Sequence, residues 1–68
     1  MSDAGKLPGI LSVWEHRDGD FYSVLHIAND VDTREYPRMI IYQSASTGTV
    51  WATRADDWHR SMTEVIVP

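Results

Sequence analysis

The sequence contains no cysteine, so neither a disulfide nor a thiolate metal site stabilises this chain of 68 residues. Six lysines and arginines stand against ten aspartates and glutamates, and this net charge of −4 disfavours a general nucleic-acid binder. No apolar run approaches the roughly 20 residues that cross a bilayer. Residues 1–6 lack the apolar segment of a signal peptide. These absences predict one small cytoplasmic domain held together by packing or by a partner subunit.

The residues that are present suffice for a small hydrophobic core. Hydrophobic side chains make up 43% of the sequence and include three tryptophans, three tyrosines and one phenylalanine. That proportion argues against a disordered chain. Residues 1–8 are mostly small and polar, and we interpret them as a loose tail. Residues 9–68 are predicted to form a single domain.

Residues 38–54 are the richest β-forming stretch and predict a hairpin around which the remainder folds. Its turn ends in Gly48, where a left-handed residue closes a bulged hairpin. Residues 9–16 and 21–28 predict a second hairpin, because an Asp-Gly pair between apolar runs favours a tight turn. Strict alternation in its second strand predicts two faces: Phe21, Ser23, Leu25 and Ile27 on one, and Tyr22, Val24, His26 and Ala28 on the other.

The rest of the chain supplies one long loop, one helical turn and one more strand. Residues 29–37 are rich in Asn, Asp and Pro and predict a surface loop. Residues 55–60 interrupt the β pattern and predict a single helical turn, and residues 61–67 alternate again as a last strand. Five short strands without a long helix predict an all-β fold, a small five-stranded barrel.

The order of these motifs also resembles a known family. The resemblance is carried by residues 16–28, Thr33, residues 40–43, Gly48, Trp51 and Arg54. In these positions the chain resembles the small bacterial and phage family catalogued as domain of unknown function 1653. It departs from that pattern at His26, Ala55 and residues 57–58, where Gly, Pro and Met-Phe are usual. The resemblance implies an SH3-like β-barrel and assigns no activity.

Five side chains are the candidates for a binding face: Trp14, Tyr42, Trp51, Arg54 and Trp58. Clustered aromatic rings in such a barrel line a groove for a peptide or surround a methylated ammonium. The alternative is that the rings fill the core of a domain too small to spare them. Of the aromatic side chains, we expect Trp14 and Trp58 to be exposed, and Tyr22 and Trp51 to pack inward.

The sequence allows two roles for the Arg54 side chain. Its guanidinium is able to hold a carboxylate or phosphate through two parallel hydrogen bonds. The alternative is an ion pair within the chain, with Asp56, Asp57 or Glu15 as the acid.

The remaining polar residues form no recognisable catalytic or metal-binding motif. His16, His26 and His59 do not have the spacing of metal ligands, and no cysteine assists them. Acidic residues gather in two predicted turns, where exposure keeps their pKa values ordinary. No serine lies in a nucleophile elbow, and no glycine-rich phosphate loop exists. The sequence therefore predicts neither an enzyme nor a bound cofactor or metal.

The expected function is recognition by the outer surface. We expect a non-enzymatic module that binds a protein or peptide through its aromatic face, and a host protein would be the partner if the chain is phage-encoded. The alternative is an accessory domain for nucleic acid, because small barrels also bind single strands by stacking. A homodimer is a further expectation, since a small core leaves hydrophobic strand edges available.

Overall fold

The computed structural model describes residues 7–66 as an antiparallel five-stranded sheet with one short helical connection. The elements are β1 (Val13–His16), β2 (Phe21–Ala28), β3 (Met39–Ser44), β4 (Val50–Arg54), a 3₁₀ helix (Ala55–Asp57), α1 (Trp58–Ser61) and β5 (Met62–Glu64). This confirms the all-β fold class and the helical turn before the last strand. Within the described residues β4 and β5 form the two edges and do not pair, so the sheet curls without closing.

Glycine closes both predicted hairpin turns. Gly19 has a φ of 96° and Gly48 a φ of 75°, a region that side chains with a Cβ disfavour. The Gly48 N–H donates to the carbonyl of Ser44 at 3.0 Å, and the Ser44 N–H donates to Thr49 at 2.9 Å. The role predicted for Gly48 is therefore confirmed.

A β-bulge in β2 changes which side chains face the core. Val24 lies opposite Tyr42, but His26 lies opposite Ile41, so Leu25 is an extra residue without a partner. One extra residue reverses the alternation beyond it. Ile27 therefore packs against the core on the same side as Val24, whereas His26 is exposed. The prediction of strict alternation through residue 28 is wrong after Leu25.

The first strand is shorter than predicted and begins at Val13 instead of residue 9. Ile10 and Leu11 form a turn in which Leu11 has a φ of 67°. The turn still bonds to β2, because the Leu11 N–H donates to the Val24 carbonyl at 2.8 Å. At the chain ends, Pro8 of the predicted tail is buried. Residues 1–6 of that tail and Val67 of the predicted last strand lie outside the described residues.

The core lies between the curled sheet and the helical connection. Its buried members are Trp14, Val24, Ile40, Trp58 and Met62. Tyr22, Ile27, Tyr42 and Ala55 pack around them. Because four of the five strands and the connection each contribute, the core joins segments that are distant in the sequence.

The predicted loop between β2 and β3 is tied to itself by polar contacts. Arg38 donates from Nη2 to the Asp30 carbonyl at 2.7 Å, and its backbone N–H donates to Asp32 at 3.0 Å. Asn29 donates from Nδ2 to the Pro37 carbonyl at 2.8 Å, which joins the two ends of the loop. The interpretation as a surface loop is confirmed, since residues 29–36 are exposed.

Candidate protein-interaction site

Most of the aromatic rings form one continuous chain inside the fold. The ring centres of Trp14 and Trp58 lie 5.4 Å apart, those of Trp58 and Tyr42 5.1 Å, and those of Tyr42 and Tyr22 5.2 Å, all edge to face. His16 continues the chain 6.1 Å beyond Tyr22. Such pairs add about 0.5–1.5 kcal/mol each beyond the area they bury. These rings therefore belong to the core, the alternative considered from the sequence.

Trp14 and Trp58 are buried, and the expectation that they reach solvent is wrong. Their exposed fractions are 5% and 1%. Trp14 lies opposite Tyr22 and therefore on the core face of the sheet. Trp58 is the first residue of α1 and packs down onto that face. The Trp14 Nε1 donates to Ser12 at 2.8 Å, but the buried Nε1 of Trp58 has no acceptor within residues 7–66.

Trp51 is exposed, and the expectation that it packs inward is also wrong. It lies opposite Tyr42 on the core side of the sheet, but 52% of its surface is open to solvent. Trp51 is exposed because β4 is an edge strand, and no further strand lies beside β4 to cover the indole. Trp51 takes no part in the ring contacts among residues 7–66. Its neighbour Tyr42 is half-buried, and this burial raises the pKa of the Tyr42 phenol.

The backbone register of β4 determines which of its polar groups lack partners. The Ser44 N–H donates to the Thr49 carbonyl, and the Ala55 N–H donates to the Arg38 carbonyl. Between these two bonds, every second residue pair of β3 and β4 is a hydrogen-bonded pair. Trp51 and Thr53 consequently bond to β3. The N–H groups of Val50, Ala52 and Arg54 then point away from the sheet, as do the carbonyls of Val50 and Ala52.

We call residues Val50–Arg54, with these outward groups, the β4 edge. Four of its five residues are exposed, and no other hydrogen bond among residues 7–66 uses the outward N–H groups. Trp51 lies on its core side, and Val50, 53% exposed, lies on its outer side. The β4 edge therefore has free hydrogen-bonding groups with an apolar side chain on each side of them.

Arg54 lies at the end of the β4 edge and is exposed. Neither ion pair among residues 7–66 includes it. Asp57, one of its expected partners, lies 3.4 Å from Arg60 instead. Of the five predicted site residues, the structure places Tyr42 and Trp51 opposite each other on the core face of β3 and β4, and it puts Arg54 on the other face of β4. It separates Trp14 and Trp58 from them by burial.

His16 and His59 contact neighbouring residues of the fold. Nδ1 of His16 lies 3.1 Å from both the backbone nitrogen and the Oδ1 of Asp18. A hydrogen bond from the backbone N–H requires Nδ1 without a hydrogen, whereas a hydrogen bond to Oδ1 requires Nδ1 with one. The amide always carries its hydrogen, so we assign Nδ1 as the acceptor; Oδ1 already accepts from the Asp20 N–H. His59 lies edge to face with Trp14 at 5.5 Å. No group of three metal-ligating side chains occurs within residues 7–66.

Sequence reasoning missed a hydrogen-bonded carboxylate at Asp20. Its Oδ2 accepts from the hydroxyls of Ser44 at 2.8 Å and Ser46 at 2.9 Å, and its Oδ1 accepts from the Phe21 N–H at 2.8 Å. The Ser44 bond foremost lowers the pKa of Asp20, although the sequence predicted ordinary values for turn acids. The sequence around Asp20 does not indicate this contact, because Ser44 and Ser46 lie 24 and 26 residues from Asp20 along the chain.

Two shallow grooves lie at the β5 side of the molecule. One of about 480 Å³ runs between Pro8, Trp14, Met62 and Ile66. The other, of about 290 Å³, is bordered by Arg17 and Arg60 as well as Glu15. Asp57 lies beside Arg60, so the second groove combines both signs of charge.

Comparison with known proteins finds no matching family model, no matching curated protein and no matching solved structure. The resemblance to the domain of unknown function 1653 remains a prediction. None of the helices within residues 7–66 is long and apolar enough to span a membrane.

Proposed function

We propose that this protein is a non-enzymatic interaction module that binds an extended protein segment along the β4 edge. The observation that carries the proposal is the set of unpaired backbone groups at Val50, Ala52 and Arg54 beside a half-exposed Trp51. An extended segment that adds to a sheet edge gains main-chain hydrogen bonds, and its alternate side chains contact the two faces. Both kinds of contact are available at the β4 edge.

Trp51 is the main side-chain contact in this proposal. A tryptophan that becomes desolvated at an interface commonly contributes about 2 kcal/mol or more to binding. Tyr42 lies directly opposite Trp51 on the same face of the sheet and is half-buried. Trp14 and Trp58 contribute only indirectly, because they are buried in the core against which Tyr42 packs.

Arg54 supplies orientation. Where the bound segment carries an acidic side chain, the exposed guanidinium pairs with its carboxylate, a contact worth at most about 1 kcal/mol when both groups are solvated. Such a contact fixes the register of the segment more than it strengthens binding. The chain offers no second cation in β4, so the carboxylate has one position along the edge.

A displayed library of short random peptides tests the proposal directly. We expect peptides selected on the wild-type protein to lose most of their affinity, about tenfold or more, for Trp51→Ala, because the indole is the largest apolar contact. Phe21→Ala is the matched control, since Phe21 is 41% exposed and lies outside β4. Binding is measured by fluorescence anisotropy of the labelled peptides.

A second variant tests the backbone contacts. Ala52→Pro removes an N–H that points away from the sheet, so the ladder to β3 keeps its bonds. We expect this variant to stay folded by circular dichroism and to lose the selected peptides. Equal binding by wild type, Trp51→Ala and Ala52→Pro, or failure to select any peptide, would contradict the proposed function.

A further inference from the structure

We infer that the extended segment bound at the β4 edge is the β4 strand of a second copy of this chain, related by a two-fold axis at Ala52. The inference rests on the proposed function and names the partner. It concerns the same five residues, Val50–Arg54. Its consequence is a dimer in which two five-stranded sheets join edge to edge.

The two edges of the sheet differ in how they are protected. Proteins commonly guard an edge by making it short, by placing Lys or Pro in it, by a bulge, or by covering it. β5 is only three residues long. β4 is five residues long, contains no Pro and a single charged residue, Arg54 at its end, pairs with β3 without a bulge, and is largely exposed. The unprotected edge is therefore β4.

The register of β4 allows it to pair with itself. In an antiparallel pair centred on Ala52, that residue lies opposite Ala52 of the second copy, and Val50 lies opposite Arg54 of the second copy. Residues whose N–H and C=O groups point away from β3 then lie opposite residues of the same kind in the second copy. This arrangement is required for a hydrogen-bonded pair. The two Ala52 residues exchange both bonds, and each Arg54 N–H donates to a Val50 carbonyl.

The side chains are compatible with this pairing. Ala52 puts the smallest side chain of the strand at the axis, on the outer face. On the core side Trp51 lies opposite Thr53 of the second copy, and the two indoles are diagonal neighbours, with Cα atoms about 7–8 Å apart and within reach of each other. β4 contains no acidic residue, so in this dimer Arg54 makes no ion pair with the second strand. It lies opposite Val50 instead, and its aliphatic stem covers exposed apolar surface. No like charges lie directly opposite.

Net charge and size limit the affinity. Each copy carries a net charge of −4, so two copies repel at long range. Salt screens this repulsion over about 8 Å at physiological ionic strength. Pairing along one short strand buries less surface than a standard interface of roughly 1,600 Å². We therefore expect a weak, reversible dimer that becomes tighter as salt is added.

Charge exchange at Ala52 is the decisive experiment. Ala52 is exposed on the outer face, so Ala52→Lys and Ala52→Glu should fold, which circular dichroism checks. In the inferred dimer each variant alone places two like charges at the axis, and we expect its dimer to dissociate at least about fivefold more readily than wild type. An equimolar mixture of the two variants should recover association, because Lys then meets Glu. Sedimentation equilibrium over a range of concentrations measures all four samples.

The outcomes separate this inference from the proposed function. Association of wild type, loss in each variant and recovery in the mixture would support the dimer. A wild type that stays monomeric at every concentration and salt level would overturn it, and so would variants that associate as wild type does. If selected peptides still bind the β4 edge in those cases, the proposed function stands and only the second copy is rejected.

Discussion

At the scale of single residues, the Asp20 carboxylate connects two turns that are distant in the sequence. It lies in the β1–β2 turn and accepts hydrogen bonds from Ser44, the last residue of β3, and from Ser46 in the β3–β4 turn. A carboxylate that accepts several hydrogen bonds is stabilised in its ionised form. The Ser44 hydroxyl is buried at this contact, so the interaction joins the sheet's two hairpins from one end.

This contact predicts how stability depends on acid. The pKa of Asp20 is lowered in the folded state from its ordinary 3.8, first by the Ser44 hydrogen bond. The contribution of Asp20 is therefore fully present well above pH 3.8, and it is lost as the pH falls through the lower folded-state pKa. We expect urea unfolding to show that wild type loses its advantage over Asp20→Asn in that acidic range.

Asp56→Asn is the control for this measurement, because Asp56 is exposed and makes no side-chain hydrogen bond within residues 7–66. Its urea unfolding over the same pH range gives the effect of replacing a carboxylate by an amide where no hydrogen bond is removed. An Asp20→Asn difference that stays constant down to strongly acidic pH would contradict the structural role of the carboxylate.

At the scale of the elements, the helical connection has one fully buried side chain, Trp58, with Ala55 packed against the core and His59 against Trp14 beside it. The 3₁₀ helix has no buried residue, and Trp58 is the buried residue of α1. Trp58 contacts both Trp14 and Tyr42 by ring edges. The connection therefore depends on tertiary packing, because helices of three and four residues are not stable alone.

Trp58 variants test this dependence. Trp58→Ala should cost about 3–5 kcal/mol, a large part of the roughly 3–10 kcal/mol expected for a domain of this length. Trp58→Phe should cost clearly less, because it keeps a ring in place and removes the unpaired buried Nε1. The exposed Trp51→Ala is the control, with an expected loss below about 1 kcal/mol. Urea unfolding gives all three values, and equal losses for Trp51→Ala and Trp58→Ala would contradict this packing.

At the scale of the whole molecule, the net charge of −4 disfavours binding to nucleic acid. The one aromatic side chain of β4 is exposed as a stacking platform would be, so the alternative function needs its own test. Binding to nucleic acid depends mainly on cations that neutralise phosphates. β4 offers only Arg54 for that purpose.

We therefore predict no measurable binding of a labelled single-stranded oligonucleotide at low salt. Anisotropy is the measurement, with wild type and Trp51→Ala compared. Binding that appears at low salt, falls steeply as salt is added and is lost in Trp51→Ala would contradict this prediction. It would favour the nucleic-acid alternative over strand addition at the β4 edge.

Local pattern predicted β2 to the residue and the glycine that closes the β3–β4 turn. It did so because strand propensity and positive φ are properties of short segments. It missed the bulge at Leu25, since whether a residue is extra depends on the partner strand. Local pattern also predicted Trp14 and Trp58 to be exposed and Trp51 to pack inward, the reverse of what the structure has. The residues next to a tryptophan in the sequence do not indicate whether another strand will cover it.

The sequence by itself determined an all-β chain without disulfides, with its turns at Gly19 and Gly48 and enough aromatic side chains for a small core. Only the tertiary structure decided which rings form that core and which remain outside. The physical reason is that exposure depends on strand order: β4 lies at an edge, so Trp51 and the outward groups of Val50 and Ala52 remain available. Strand order arises from contacts between distant segments, and local sequence does not encode it.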